Sequence, residues 1–228
     1  MENNTKKKTA VVIGATGNLG RAVCNALHEA GYTLDEQWTR EDHPDASKAA
    51  SYANLPETID LAVYLAGVNV VKETEMLTEE EWDGLMDVNL KGAFLFARAA
   101  FPAMKASGSA TFVAISSIMA THPYPHRAAY AVSKAGLEGL MRELAVEWGK
   151  YGISTQAIRL GHLSGLMKST KINPSMLNAV RAHTPSGYLV EPKDVASYIV
   201  WLAEGGARAV SGGVIDFDPA YTLNRWPL

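Results

Sequence analysis

The sequence predicts an α/β fold: a three-layer, doubly wound parallel sheet, with six strands and one edge strand lost. Three observations carry this prediction. Short apolar, β-branched runs alternate with segments of helical periodicity along all 228 residues, the pattern of a buried parallel sheet covered by helices on both faces. A glycine-rich turn follows the first run and opens the first helix. Residues 41–58, lying between two strand-like runs, are too few for a helix, a strand and a second helix, since one crossover alone takes about 10–12 residues. The chain is expected to form one domain over residues 1–228, a length that can bury a full core.

Composition narrows the function classes. A net charge of −3 and a pI near 6.1 give no electrostatic footprint for nucleic acid. No apolar run reaches the ~18–20 residues of a membrane span, and Lys6-Lys7-Lys8 reads as a solvated terminus ahead of the first strand. Cys24 is the single cysteine. It permits no internal disulfide, lies in the apolar pattern of the first helix, and fits a reducing, cytoplasmic setting.

Thr9–Ile13 is the first strand, and Gly14-Ala15-Thr16-Gly17-Asn18-Leu19-Gly20 leads from it into a helix over Arg21–Ala30 that Gly31 ends. Strand, glycine turn and helix form the opening of a dinucleotide-binding, Rossmann-like unit. Glycines let the backbone approach a pyrophosphate, and the helix N-terminus offers amides and positive dipole to it. The spacing here is G-x-x-G-x-x-G. Residues 32–40 read as a second strand ending in Thr39-Arg40, with no acid where a ribose-binding carboxylate belongs. An arginine beside a hydroxyl suits a 2′-phosphate, so NADP(H) is favoured over NAD(H); a solvent-exposed arginine is the rival reading. A short helix over Asp45–Ala53 and a strand over Ile59–Leu65, ending in Ala66-Gly67, come next.

Thr78–Ala106 reads as mostly helical, entered by a Thr78/Glu81 capping box. Asn89 sits inside it at a position of low helix propensity. The stretch TFVAISSIMATHPYPHRAAYAVSK over 111–134 is a strand, a serine pair, a proline-containing loop and a helix opening with Tyr130 and Lys134. Those two are four residues apart and share a helix face, where an ammonium would draw the phenol below its ordinary value near 10. Ile153–Leu160 is a strand, Ser164–Tyr188 an irregular lid, Pro192–Glu204 a helix, and Val214–Phe217 the last strand.

From Thr9 to Thr222 these features resemble the short-chain dehydrogenase/reductase family. The glycine turn is similar to the family's cofactor turn, with spacing nearer its extended and atypical branches. Tyr64-Leu65-Ala66-Gly67 stands where the family has N-N-A-G, Asn89 in VNLKG matches its helix asparagine, Ser117 lies thirteen residues before Tyr130, and YAVSK matches Y-x-x-x-K. Leu160-Gly161 replaces P-G, Ser164-Gly165 stands near the usual threonine, EPKDVA resembles P-E-D-V-A, and SGGVIDFDPAYT resembles the family's T-G-x-x-x-x-V-D-G-G ending.

The resemblance implies a NADP(H)-dependent oxidoreductase moving hydride between nicotinamide and a carbonyl or secondary alcohol of a small molecule. Tyr130 is then the proton donor, Lys134 its tuner and a ribose ligand, Ser117 the oxyanion donor, and Asn89 the support of a proton relay. Gly14, Thr16, Gly17, Asn18, Leu19, Gly20, Thr39, Arg40, Ala66, Gly67, Gly161 and Leu163 would border the cofactor, and Met119, His122 and Met167 the substrate. It also implies a homodimer or homotetramer through the helices of Asn89 and Tyr130. Ser116 is the lesser serine candidate, and no third ligand accompanies His122 and His126, so no metal site is expected. Two rivals remain: a catalytically silent NAD(P)-binding regulator or scaffold, encouraged by the altered motifs, and an epimerase or dehydratase, for which the C-terminal portion is short.

Overall fold

The computed structural model describes residues 7–35, 38, 44–164 and 174–224. β1 (Thr9–Ile13) enters α1 (Asn18–Glu29) through the glycine turn. β2 (Thr33–Leu34), β3 (Leu61–Tyr64), α2 (Glu79–Met86), α3 (Gly92–Ser107), β4 (Ala110–Ser117) and α4 (Ala128–Trp148) follow. β5 (Ile153–Leu160), α5 (Pro174–His183), α6 (Pro192–Ala203) and β6 (Val214–Phe217) complete the order. The six strands form one parallel sheet in the order β2-β1-β3-β4-β5-β6. The chain steps outward from β1 to β2 and returns to the other side of β1 with β3. The crevice at such a reversal lies beyond the C-terminal strand ends, where doubly wound sheets bind ligands.

Alternation along the strands builds two cores. Val11, Ile13, Phe112 and Ala114 face α3 and α4, while Ala10, Val12, Val113 and Ile115 face α1 and α6. The lost edge strand is as expected: the described residues from 44 to 58 hold a 3₁₀ turn, Ala49–Tyr52, and no strand. That turn replaces the helix expected over Asp45–Ala53.

The second strand differs from the reading of 32–40, because the ladder to β1 ends after Leu34. Trp38 is fully buried and stacks on Tyr52 at 5.3 Å between ring centroids, and Tyr52 meets Phe96 of α3 at 5.4 Å. Both aromatics belong to the α3/α4 core. Burying a ring of roughly 150–250 Å² outweighs further ladder bonds at an edge with one neighbour, which fits the ladder's end at Leu34. Thr39 and Arg40 lie outside the described residues.

The segment 164–188 is not irregular throughout, since it contains α5 with Val180 buried; its residues 165–173, Met167 among them, lie outside the described residues. The long helix expected over Thr78–Ala106 begins at its capping box, with Glu81 N–H donating to Thr78 Oγ1 and Thr78 N–H to Glu81 Oε2. It is broken by a π turn over Asp87–Lys91. Among the described residues no helix is long and apolar enough to cross a membrane.

Candidate active site

The glycine turn divides into positions the fold requires and one it does not. Gly14 has φ +89°, and a Cβ there would stand 2.9 Å from Ala66 N; at Gly20 it would stand 2.1 Å from Gly14 O. Those two glycines pack the turn against α1 and the end of β3. Gly17 is exposed, and a Cβ on it would meet only Gly14 O at 3.5 Å. Packing leaves Gly17 free to change, so close approach by a ligand is the remaining reason for it. No side chain caps α1 at Gly17 and no acid occupies its first turn, so the positive end of the helix suits an anion. The residues therefore fit a dinucleotide pyrophosphate. Leu19 and Leu163 are core side chains and could meet a cofactor only through their backbones.

Ser117, Tyr130 and Lys134 converge at the C-terminal edge of β4. Ser117 ends that strand, accepts the Met119 N–H at 3.3 Å, and keeps its hydroxyl proton for another acceptor. Ser116 faces away: it is buried and donates to Glu138 Oε1 at 2.7 Å. Lys134 is buried, donates from Nζ to the Ile115 carbonyl at 2.8 Å, and lies 5.7 Å from the centre of the Tyr130 ring. Burial lowers the Lys134 ammonium from 10.5 to about 8. The phenol corrects the sequence expectation. Burial pushes Tyr130 above 10, with a hydrogen bond from Ser117 and the charge of Arg127 working the other way. Desolvation wins over the neighbouring cation, and the resting Tyr130 is a protonated donor.

Asn89 is fully buried and its amide is committed. Its oxygen accepts the Val68 N–H at 2.8 Å, and its nitrogen donates to the Val68 carbonyl at 2.9 Å and to Ser133 Oγ at 3.1 Å. It thus ties the loop after Ala66-Gly67 to the helix turn between Tyr130 and Lys134. A Cβ on Gly67 would reach within 3.4 Å of Lys134 Nζ, so glycine keeps the space above the lysine open.

The supporting roles of Tyr64, Gly92, Glu138 and Arg159 escaped the sequence reading. In the π turn Gly92 N–H bonds to Asp87 O, five residues back, which strands the Val88 carbonyl that an α-helix would have used. Tyr64, standing in the N-N-A-G position, donates its hydroxyl to that carbonyl at 2.5 Å. Gly92 accommodates it, since a Cβ there would lie 2.3 Å from the Tyr64 hydroxyl. Glu138, one helical turn beyond Lys134, is buried and takes a bidentate pair from Arg159 Nε and Nη2 at 2.9 and 2.8 Å. Arg159 also donates to Asp216 at 2.8 Å, linking α4, β5 and β6. A short apolar motif or a helical stripe carries no sign of pairs like these, which join residues 21 and 57 positions apart.

The remaining sequence candidates divide. Gly161 is needed for packing, because a Cβ would stand 2.8 Å from Asp218 Cβ. Beside it His162 Nε2 shares a 3.0 Å hydrogen bond with the Tyr124 hydroxyl, which donates to Tyr221 at 3.1 Å. Leu160 is the strand partner of Ser117, so this cluster stands at the same sheet edge. Burial lowers the His162 imidazole from 6.5, keeping it neutral at pH 7. Met119 is half-buried, and His122 is exposed with its Nδ1 3.0 Å from Thr121 Oγ1. The described residues hold no group of three His, Cys, Asp or Glu side chains placed for a metal ion. Burial pushes the Cys24 thiol up to about 11, which suppresses the thiolate a nucleophile needs.

Residues 37–222 match a family model described as enoyl-(acyl carrier protein) reductase. The chain is 31% identical to 3β-hydroxysteroid dehydrogenase 1 of Eggerthella lenta, over 98% of this chain and 97% of that one. It is 28% identical to a 3-oxoacyl-(acyl-carrier-protein) reductase of Rickettsia felis, over 91% and 94%. Among solved structures it resembles a protein of Beutenbergia cavernae provisionally assigned as an NAD(P)-dependent gluconate 5-dehydrogenase and solved with NADP at low occupancy. The TM-score is 0.86 and the identity 26%, over 95% of this chain and 97% of that one.

Proposed function

The chain belongs to the short-chain dehydrogenase/reductase family and is a pyridine-nucleotide oxidoreductase of alcohols and carbonyls, and on that premise we propose which residues do the work. The observation that carries the assignment is the convergence of buried Ser117 and Lys134 with the half-buried Tyr130 at the end of β4, with Gly67 beside the lysine. The cofactor, when bound, supplies or accepts the hydride. Gly14, Thr16, Gly17, Asn18, Leu19 and Gly20 would hold its pyrophosphate side, Ala66 and Gly67 its middle, and Lys134, Gly161 and Leu163 its nicotinamide end. Tyr130 gives its hydroxyl proton to the substrate oxygen in reduction and takes it back in oxidation. Ser117 directs its hydroxyl proton at the same oxygen once substrate is bound, where negative charge develops. The Lys134 cation steadies the phenolate left behind, and Asn89 with Tyr64 holds the loop and the helix turn around it.

A panel of small carbonyls and secondary alcohols, followed through NADPH absorbance with Tyr130→Phe as control, tests the reading. Turnover by the variant equal to the parent would sink it. The silent-scaffold alternative loses ground because a pure binder has no use for a proton donor with a matched, buried lysine.

The preferred cofactor is NADP(H), through Thr39 and Arg40. NADPH should bind at least about tenfold more tightly than NADH, the worth of one charge-assisted contact. Equal dissociation constants by fluorescence titration would remove the phosphate reading. The working state is a homodimer or homotetramer through α3 and α4, in the cytoplasm. Phe94 and Val146 are 46% and 80% exposed on those helices, and Phe94, Phe101, Leu144 and Trp148 line one groove there. Sedimentation at micromolar concentration should give a species of at least twice 24.6 kDa; a monomer at all concentrations contradicts it.

A further inference from the structure

Arg127 is the unclaimed charge beside the active site. Its Nη1 is buried without a hydrogen-bond partner, and among the described residues no carboxylate pairs with its guanidinium. Its charge nevertheless reaches the Tyr130 phenol. It stands at the N-terminal boundary of the 21-residue α4, three positions before the tyrosine. The backbone feeding it is held in an unusual shape. His126 has φ +64°, and its carbonyl accepts the Lys72 N–H at 3.0 Å. A non-glycine residue in the left-handed region costs energy and persists where the surroundings enforce it, often at functional sites.

The contrast with Lys134 sharpens the point. A buried lysine can relieve its desolvation by releasing a proton, whereas a guanidinium stays charged at every working pH. A partly buried cation with no counter-ion among the described residues is therefore a standing penalty that an anion from outside would remove. We propose that Arg127 binds the carboxylate of the substrate, so that this enzyme acts on hydroxy acids or the matching oxo acids, with the reacting carbon presented to Tyr130. A carboxylate fits better than a phosphate ester because one cation is on offer. Of the neighbouring lysines, Lys134 donates to the Ile115 carbonyl and Lys72 is paired with Glu81. The inference rests on the proton-donor reading of Tyr130 for its geometry, and its test has a readout separate from turnover.

Protein saturated with NADP⁺ is titrated calorimetrically with lactate, 3-hydroxybutyrate, their methyl esters, and glycerol 3-phosphate. The acids should bind more tightly than their esters and than the phosphate ester. In Arg127→Gln the preference for acid over ester, in both dissociation constant and kcat/KM, should collapse by about ten- to a hundredfold, the worth of a charged hydrogen bond. Arg127→Lys should recover part of it. Acids and esters that bind equally to the parent protein overturn the proposal. So does an Arg127→Gln protein that weakens both alike, or a phosphate ester that outcompetes the acids. Selective acid binding with no turnover of any alcohol or carbonyl would leave the anion site standing and defeat the catalytic reading instead.

Discussion

Tyr130→Phe is expected to lower kcat/KM by about 10²–10⁴-fold, the usual contribution of a positioned proton donor, while leaving cofactor affinity nearly unchanged. The substitution removes one oxygen from a phenol that burial keeps protonated and leaves the Lys134–Ile115 bond and the Asn89 clamp in place. The loss should therefore fall on the chemical step. The parent enzyme's pH profile gives an independent check. Lys134 is lowered from 10.5 to about 8, so its cation is present below that pH and lost above it. Proton donation leaves a phenolate that the cation stabilises, so kcat/KM for reduction should hold near neutrality and fall as pH rises past about 8. A profile that climbs steadily to pH 10 in the reductive direction would contradict the role given to Lys134. Activity retained in the phenylalanine variant would remove Tyr130 as donor.

Glu138→Gln is expected to destabilise the fold strongly, because it removes a buried charge that holds three elements together. Glu138 is 4% exposed and receives Arg159 in a fork, Ser116 from β4, and more distantly Arg142. Removing one partner of a buried pair strands the other, at a cost of roughly 3–5 kcal/mol. For a chain of this size that corresponds to a fall in Tm on the order of 10 °C. Asp216→Asn is the control: Asp216 is 46% exposed on its side of Arg159, and solvent screening should hold its cost to about 1 kcal/mol or less. Thermal unfolding of the two variants decides the matter. Equal small shifts would mean that the network is incidental, and its hold on the strand end beside Ser117 with it.

The placement of the candidate catalytic stretch was legible because its logic is local. Tyr130 and Lys134 share a face through helix geometry alone, and Ser117 ends an apolar run whose buried character is written in consecutive residues. β5 and β6 fall on Ile153–Leu160 and Val214–Phe217 as read, and the Thr78 capping box marks a helix start that the structure keeps. The missing edge strand was a matter of counting residues between two runs. By contrast, the destination of Trp38 depended on Tyr52 and Phe96, which are remote in sequence. The strand ended early for the same reason.

By itself, then, the sequence determined the layer order, the glycine turn, the spacing of Ser117, Tyr130 and Lys134, and the family. Each follows from periodicity or from residues within a turn or two of one another. Only the tertiary structure decided the rest. It raised the Tyr130 phenol where a neighbouring lysine suggested lowering, because burial is a property of the whole fold. It joined Tyr64 to a carbonyl that a π turn had freed, and Glu138 to Arg159 across the sheet. It also left the Arg127 Nη1 beside the phenol without a hydrogen bond among the described residues. These are contacts and absences of contact between distant segments, and their energies exist only once the segments have been brought together.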